Sequence, residues 1–226
     1  RRAIAVAHAA AGEALDRPRY LTTFVNDNDE AMNVLVRAAG YEFFRRFNEM
    51  VRPDFEDIAM PPLPDGLEVR PVDRDTATMR RIFDAQNEAF RDGFGWVNDS
   101  DEAFTAFLEE PHQDPALWLV AFDGDEVAGV VMPVLQAAAD GSLEGWLDPV
   151  FTRRAWRRRG LARALVARSL VVLRDQRCVR ACLGVDAMNP NQALDLYESS
   201  GFRVVSSATG YRRRLIDPGR AGMGVA

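Results

Sequence analysis

Arg157-Arg158-Arg159-Gly160-Leu161-Ala162 is the stretch whose residue types and spacing most directly imply chemistry. Arginines, then a glycine, then the start of an apolar run make an anion cradle. The backbone N–H groups of Arg159, Gly160, Leu161 and Ala162 would be the unpaired donors of a helix start, and the helix dipole adds positive charge there. Gly160 has no Cβ, so a bulky anion can approach the backbone. Such a site suits a phosphate or pyrophosphate. Two phosphate motifs are excluded by spacing. A Walker loop requires a lysine, and the chain has none; a dinucleotide fingerprint requires three glycines, and only Gly160 is present. The competing interpretation is a solvated basic patch, since 28 arginines are spread along the chain.

Arg157, Gly160 and Ala162 fit Arg/Gln-x-x-Gly-x-Gly/Ala, which resembles the acyl-CoA-binding motif of the GNAT N-acetyltransferase superfamily. Val150–Trp156 looks like that family's preceding strand and loop. Asn189, Ala193, Leu196, Tyr197, Gly201 and Phe202 are similar to its second signature, Asn-x-x-x-Ala-x-x-Leu-Tyr-x-x-x-Gly-Phe. The two motifs occur in order, which makes the resemblance specific. It implies acetyl transfer from acetyl-CoA to a primary amine, of a small molecule or a peptide, by direct attack and without an acyl-enzyme or a metal. By this resemblance the main chain of Val150 and Thr152 binds pantetheine, and Val150 polarises the thioester carbonyl. Arg157, Arg158, Arg159, Gly160, Leu161 and Ala162 hold the pyrophosphate, and Asn189 bonds the far side of the cofactor. Tyr197, with a phenol pKa near ~10, matches a departing thiolate. Glu144 and Asp148 share a face if their strand is regular, and either could take the amine proton through water. Both also read as solvated carboxylates, and Tyr197 as a core tyrosine beside Ala193 and Leu196. A second functional class stays open: a non-catalytic acyl-CoA-binding or protein-interaction module. Tyr197 weighs against it, because a binding module requires no proton donor.

Composition narrows the field. The chain has 226 residues, 47% hydrophobic and 27% charged, as in an ordinary globule. No apolar run approaches a membrane span, and the first eight residues are too weakly apolar for a secretory signal; the expected compartment is the cytoplasm. A net charge of −6 argues against nucleic-acid binding. Cys178 and Cys182 would face one side of a strand, too far along it for a disulfide, and with only His8 and His112 no Cys/His metal site is expected. Oligomeric state is not legible.

Residues 67–72 alternate like a strand, and Asp73 or Asp75 can cap a helix bearing Met79, Ile82, Phe83, Ala89 and Phe90. Residues 91–95 break it. Asp99 and Glu102 have capping-box spacing for a short helix. Strands are predicted at 116–122, 126–135, 146–152, 181–186, 202–206 and 211–216, and helices at 161–173 and 191–200. The resemblance gives the fold class: α/β (α+β), the GNAT acyltransferase fold. That is a mixed, mostly antiparallel sheet with flanking helices, in which strands 146–152 and 181–186 are parallel and splay apart. The acceptor is expected near 90–96 and 206–211, where Phe94, Trp96 and Tyr211 could form a wall.

The first sixty residues repeat the end of this pattern. Arg1–Ala5 aligns with Arg158–Ala162; Asn28, Leu35 and Gly40-Tyr41 align with Asn189, Leu196 and Gly201-Phe202. Residues 1–60 therefore read as the C-terminal half of a degenerate first GNAT repeat, 61–65 as a linker, 66–217 as a complete GNAT domain and 218–226 as a flexible tail. The first repeat lacks the chemistry: Ala3 replaces Gly160, and Val36 replaces Tyr197. Beginning with Arg fits a fragment or a trimmed protein. The strand near 19–26 would have unpaired edge groups and is expected to be covered, by the second repeat, a neighbouring chain or residues outside this sequence.

Overall fold

The structure is a computed structural model and describes residues 20–91, 100–188 and 193–215. In chain order the elements are β1 (Tyr20–Asn26), α1 (Glu30–Ala38), β2 (Glu42–Arg52), β3 (Leu67–Arg70), α2 (Thr76–Phe90), α3 (Asp101–Leu108), β4 (Leu119–Asp123), β5 (Glu126–Ala137), β6 (Leu143–Thr152), α4 (Leu161–Asp175), β7 (Arg180–Asp186), α5 (Ala193–Glu198) and β8 (Arg203–Arg214). This is the mixed α/β architecture expected. Its starts follow local chemistry. Asp75, rather than Asp73, accepts from the N–H groups of Ala77 and Thr78 and begins α2. Ser100 caps α3 by accepting from Ala103 N; Asp99 lies outside the described residues. β4 begins later than predicted because Asp114-Pro115 starts a 3₁₀ turn over Pro115–Leu117.

The described chain gathers into two compact units that do not follow the sequence boundaries. One contains the described residues of 20–49, 185–188 and 204–215; the other contains residues 50–184 and 193–203, apart from the undescribed stretch. In the second unit the strands lie in the order β7-β6-β5-β4-β3. All neighbouring pairs are antiparallel except β6 and β7. Both faces of this sheet are buried. Met79, Ile82, Ala85 and Ala89 of α2 pack with Val120, Phe122, Val130, Met132 and Phe151 on one face. On the other, α4 lies so close that a Cβ on Gly145 would stand 2.2 Å from Leu173. Burial on both faces explains the unbroken apolar runs of β4 and β5. Leu161, Leu165, Leu170 and Leu173 are each 1% exposed or less, and each such burial stabilises by roughly 1.5–3 kcal/mol.

In the first unit the order is β1-β8-β2, with β1 antiparallel to β8 from Tyr20↔Arg214 to Asn26↔Ala208. The edge expected near 19–26 is thus covered on one side by β8. Val25, Val36 and Tyr211 form this unit's small core. Two closing strands were expected where β8 is one. Neighbours on both sides keep it extended through Gly210, where a Cβ would meet Phe24, Phe44 and Arg45 O at 3.0–3.2 Å. Tyr211 is core rather than an acceptor wall: it is 4% exposed and its hydroxyl donates to Asn33 Oδ1 at 2.8 Å. Phe94 and Trp96 lie outside the described residues.

β1, α1 and β2 match β7, α5 and β8 element for element. β1 and β7 both have seven residues. The turn after α1 has Gly40 at φ 77°, and Tyr41 N bonds Val36 O at 3.1 Å. The turn after α5 has Gly201 at φ 85°, and Phe202 N bonds Tyr197 O at 3.0 Å.

Candidate active site

The site lies in the second unit, where β6 and β7 part. Their parallel pairing covers only Glu144–Trp146 against Arg180–Cys182. On its other side β6 stays with β5, Val150 opposite Val131 and Thr152 opposite Gly129. Arg153 N bonds Ala128 O at 3.0 Å, so Arg153, and by alternation Phe151, turn their peptide groups to β5. Those of Val150 and Thr152 then turn the other way, into the gap. The Thr152 carbonyl is already bonded by Arg157 Nε at 3.0 Å, and its hydroxyl lies over Gly129.

The loop after β6 delivers the anion cradle. Arg158 and Gly160 are left-handed at φ 61° and 85°, and Gly160 is the N-cap of α4 with no side chain capping it. The helix's first backbone bond is Ala164 N to Gly160 O at 3.1 Å. The N–H groups of Leu161 and Ala162 therefore point forward, and a Cβ on Gly160 would meet nothing within 4 Å. Open space, exposed Arg158 and Arg159, and an uncapped helix start fit a pyrophosphate. Arg157 is placed differently: besides its bond to Thr152 O, its Nη2 donates to Ala89 O at 2.9 Å, so its guanidinium braces the loop against α2. Asn189 lies outside the described residues.

Tyr197 is buried in α5, its ring edge-on to Phe202 at 6.0 Å. Burial pushes its phenol well above the ordinary value, and the nearby Asp148 carboxylate adds to the shift. The hydroxyl is therefore protonated at every working pH. Asp148 presents accessible surface yet stands in a dense protein shell, and this desolvation raises its carboxyl above the usual range. β6 carries an extra residue between Leu147 and Val150 relative to Val131–Pro133 of β5, so Asp148 stands at this irregularity while Glu144 lies in the regular stretch before it. Glu144 is buried and ion-paired with Arg180, with Cys182 Sγ 3.9 Å from its other oxygen. The Asp148 carboxylate is thus near enough to act on the Tyr197 phenol, whereas Glu144 sits at the closed end of the strand pair. Arg180 was missed from sequence; opposite charges at matching register on the two parallel strands are its signal. Cys178 and Cys182 are free and buried.

Residues 79–202, over half of the chain, match the family described as the acetyltransferase (GNAT) family. The chain belongs to the GNAT acetyltransferase family. It is 30% identical over 210 residues to a mycothiol acetyltransferase of Streptomyces scabiei, covering 90% of this chain and 65% of that protein. A GCN5-related N-acetyltransferase from Sphaerobacter thermophilus superposes with a TM-score of 0.69 at 25% identity, over 87% of this chain and 60% of the other. A tandem GNAT protein from the clavulanic acid biosynthesis pathway has the same fold at 14% identity, with a TM-score of 0.64 over 89% of this chain and 66% of that one. The GNAT chain described here therefore spans about two thirds of the length of these relatives. None of its described helices is long and apolar enough to cross a membrane.

Proposed function

We propose that this GNAT protein transfers an acetyl group from acetyl-CoA to a primary amine, with Tyr197 as general acid and Asp148 as general base. The observation that carries the reading is the early parting of β6 from β7 beside the open, uncapped start of α4; Asp148 lies on β6 beyond the paired stretch, and its carboxylate is near enough to raise the buried Tyr197 phenol. Acetyl-CoA supplies the thioester whose acyl carbon the amine nitrogen attacks, with loss of the C–S bond. The uncapped start of α4 and the arginines at 158 and 159 would anchor the pyrophosphate, and the inward-turned peptide of Val150 would orient the carbonyl. Asp148 takes the proton released by the amine, directly or through water. Tyr197 gives its proton to the sulfur; a thiolate forming in the same dry surroundings is itself made more basic, which restores the match to a phenol of raised pKa. Direct attack needs no nucleophile from the protein, consistent with two cysteines that are both buried.

The chain is also read as a tandem-repeat GNAT, with residues 1–60 the remainder of a first repeat that carries no chemistry. Support comes from the matching β1-α1-β2 and β7-α5-β8 segments, with Val36 in the place of Tyr197. The amines of mycothiol acetyltransferase are the first acceptors to screen, given the Streptomyces relative. Tyr197→Phe tests the assignment. It keeps the ring packed and removes the proton, so kcat should fall by ~10²–10⁴ while calorimetric affinity for acetyl-CoA stays within a few-fold. Unchanged turnover when chemistry limits the rate would reject the acid role.

A further inference from the structure

We infer that Arg52 is a positioning residue for Tyr197, contributed by the segment that precedes the residues matched to the family; the inference rests on the acid role proposed for Tyr197. The described part of α5 ends at Glu198, and the last carbonyls of a helix have no partner within it, so that end must be fixed by other groups. At its C-terminus the carbonyls are satisfied in turn. Leu196 O accepts from Ser199 Oγ and Ser200 Oγ at 2.9 and 2.8 Å. Tyr197 O accepts from Ser200 N and Phe202 N, both at 3.0 Å, and Glu198 O from Gly201 N at 3.0 Å. Ser200 O is reached from outside the helix: Arg52 Nη1 donates to it at 2.7 Å. The same guanidinium donates from Nε to Asp54 O at 3.0 Å and from Nη2 to Glu56 O.

Arg52 is 8% exposed, so these bonds are shielded from water and a cation sits at the negative end of a helix. Ser200 is held on both sides: its carbonyl by Arg52, its N–H by the carbonyl of Tyr197 itself. Gly201 completes the fit. Its φ is 85°, and a Cβ there would stand 2.7 Å from Arg52 Nη1. The guanidinium thus occupies the space that glycine leaves, and through one peptide it sets the pitch of the turn that carries the phenol.

The chain contains a second copy of this brace. Arg213 Nη1 donates to Ala39 O at 2.9 Å, beside Gly40 at φ 77°, at the end of α1. Arg213, Ala39 and Gly40 stand 161 positions from Arg52, Ser200 and Gly201. In each case the arginine comes from the other β-α-β segment's closing strand or its end. The difference is the payload: α1 presents Val36 where α5 presents Tyr197. Arg213 therefore supplies a comparison, a like bond made by an exposed arginine with no phenol to aim.

A double-mutant cycle tests the inference on the full chain. Arg52→Ala should lower kcat by about 10- to 100-fold, the scale of a small misplacement of a reacting group, with the KM for acetyl-CoA changed less than threefold or so. In the Tyr197→Phe background the same substitution should cost almost nothing further in kcat. Arg213→Ala, which removes an exposed bond, should lower the melting temperature less and leave kcat unchanged. Arg52→Lys, which keeps the charge but not the fork, serves if Arg52→Ala does not fold, and should show a smaller loss with the same dependence on Tyr197. Equal losses from an Arg52 substitution with and without the phenol would overturn the inference, as would a loss of kcat in Arg213→Ala of the same size. Unchanged kcat in Tyr197→Phe alone is a different result, and removes the acid assignment itself.

Discussion

Asp148 and Tyr197 are shifted in the same direction for the same reason, and the consequences are opposite. Raising a phenol's pKa keeps it neutral at working pH; raising a carboxyl's pKa makes its ionised form a stronger base. For Asp148 the folded value lies above the unfolded one, so the stability linked to its proton is fully present below the ordinary carboxyl value of 3.8. It is lost as pH rises through the raised value. Asp148→Asn, an uncharged near-isostere, should therefore be at least as stable as the wild type at neutral pH, with the difference vanishing in acid. If Asp148 is the base, kcat/KM of the wild type should fall with decreasing pH along a limb centred above the usual carboxylate range. That limb should be absent in Asp148→Asn, whose kcat should be ~10²–10⁴ lower. An identical acid limb in both proteins would show that another group titrates. Glu144 illustrates what a single residue does not reveal: its carboxylate is as suitable as that of Asp148 until Arg180 is placed beside it.

At the scale of elements, the start of α4 is set by conformation more than by space. A side chain at position 160 would meet no atom within 4 Å, but φ 85° is left-handed backbone, which costs a non-glycine residue roughly 1–2 kcal/mol. Gly66, at φ 80° with nothing within 4 Å, has the same constraint far along the chain from the cradle. Gly160→Val and Gly66→Val should thus lose comparable stability in urea, while only Gly160→Val should lose acetyl-CoA affinity by calorimetry, because only there does the new side chain occupy the path of the anion. Equal affinities in the two variants would remove the pyrophosphate from the start of α4. Gly145 is the contrary case. Its role is close approach, since Leu173 fills the place of its side chain, and nothing in the local sequence distinguishes it from a turn glycine.

At the scale of the molecule, β8 follows directly on the residues matched to the family, yet both of its sheet neighbours, β1 and β2, come from residues 20–52. A protein beginning at Pro61 would leave β8 without a hydrogen-bonding partner on either side and would also lack Arg52. An unpaired strand is a template for aggregation. Such a piece should be far less soluble than the full chain, melt at a lower temperature, and turn over more slowly even where the cradle still binds acetyl-CoA. A soluble, equally stable and equally active piece would make the first segment dispensable. Structural work of this kind is what the absence of a glycine and a tyrosine from the first segment's motif positions does not show.

The cradle motif, the Tyr197 signature, the order of elements in residues 67–202 and the β-α-β repetition were all determined by the sequence, because each is local. Spacing within one turn or helix fixes which groups are adjacent, and periodicity fixes which face is buried. Only the tertiary structure distinguished the two carboxylates, because Arg180 reaches Glu144 from the neighbouring parallel strand, which pairs with β6 for only three residues. It likewise decided that Arg157 braces the loop while Arg52 reaches Ser200, since both guanidinium groups find their acceptors on peptides distant in sequence. The placement of β8 between two strands of the first segment has the same origin. Sheet partners are chosen by burial and by edges that must be closed, and those are properties of the assembled chain rather than of any stretch within it.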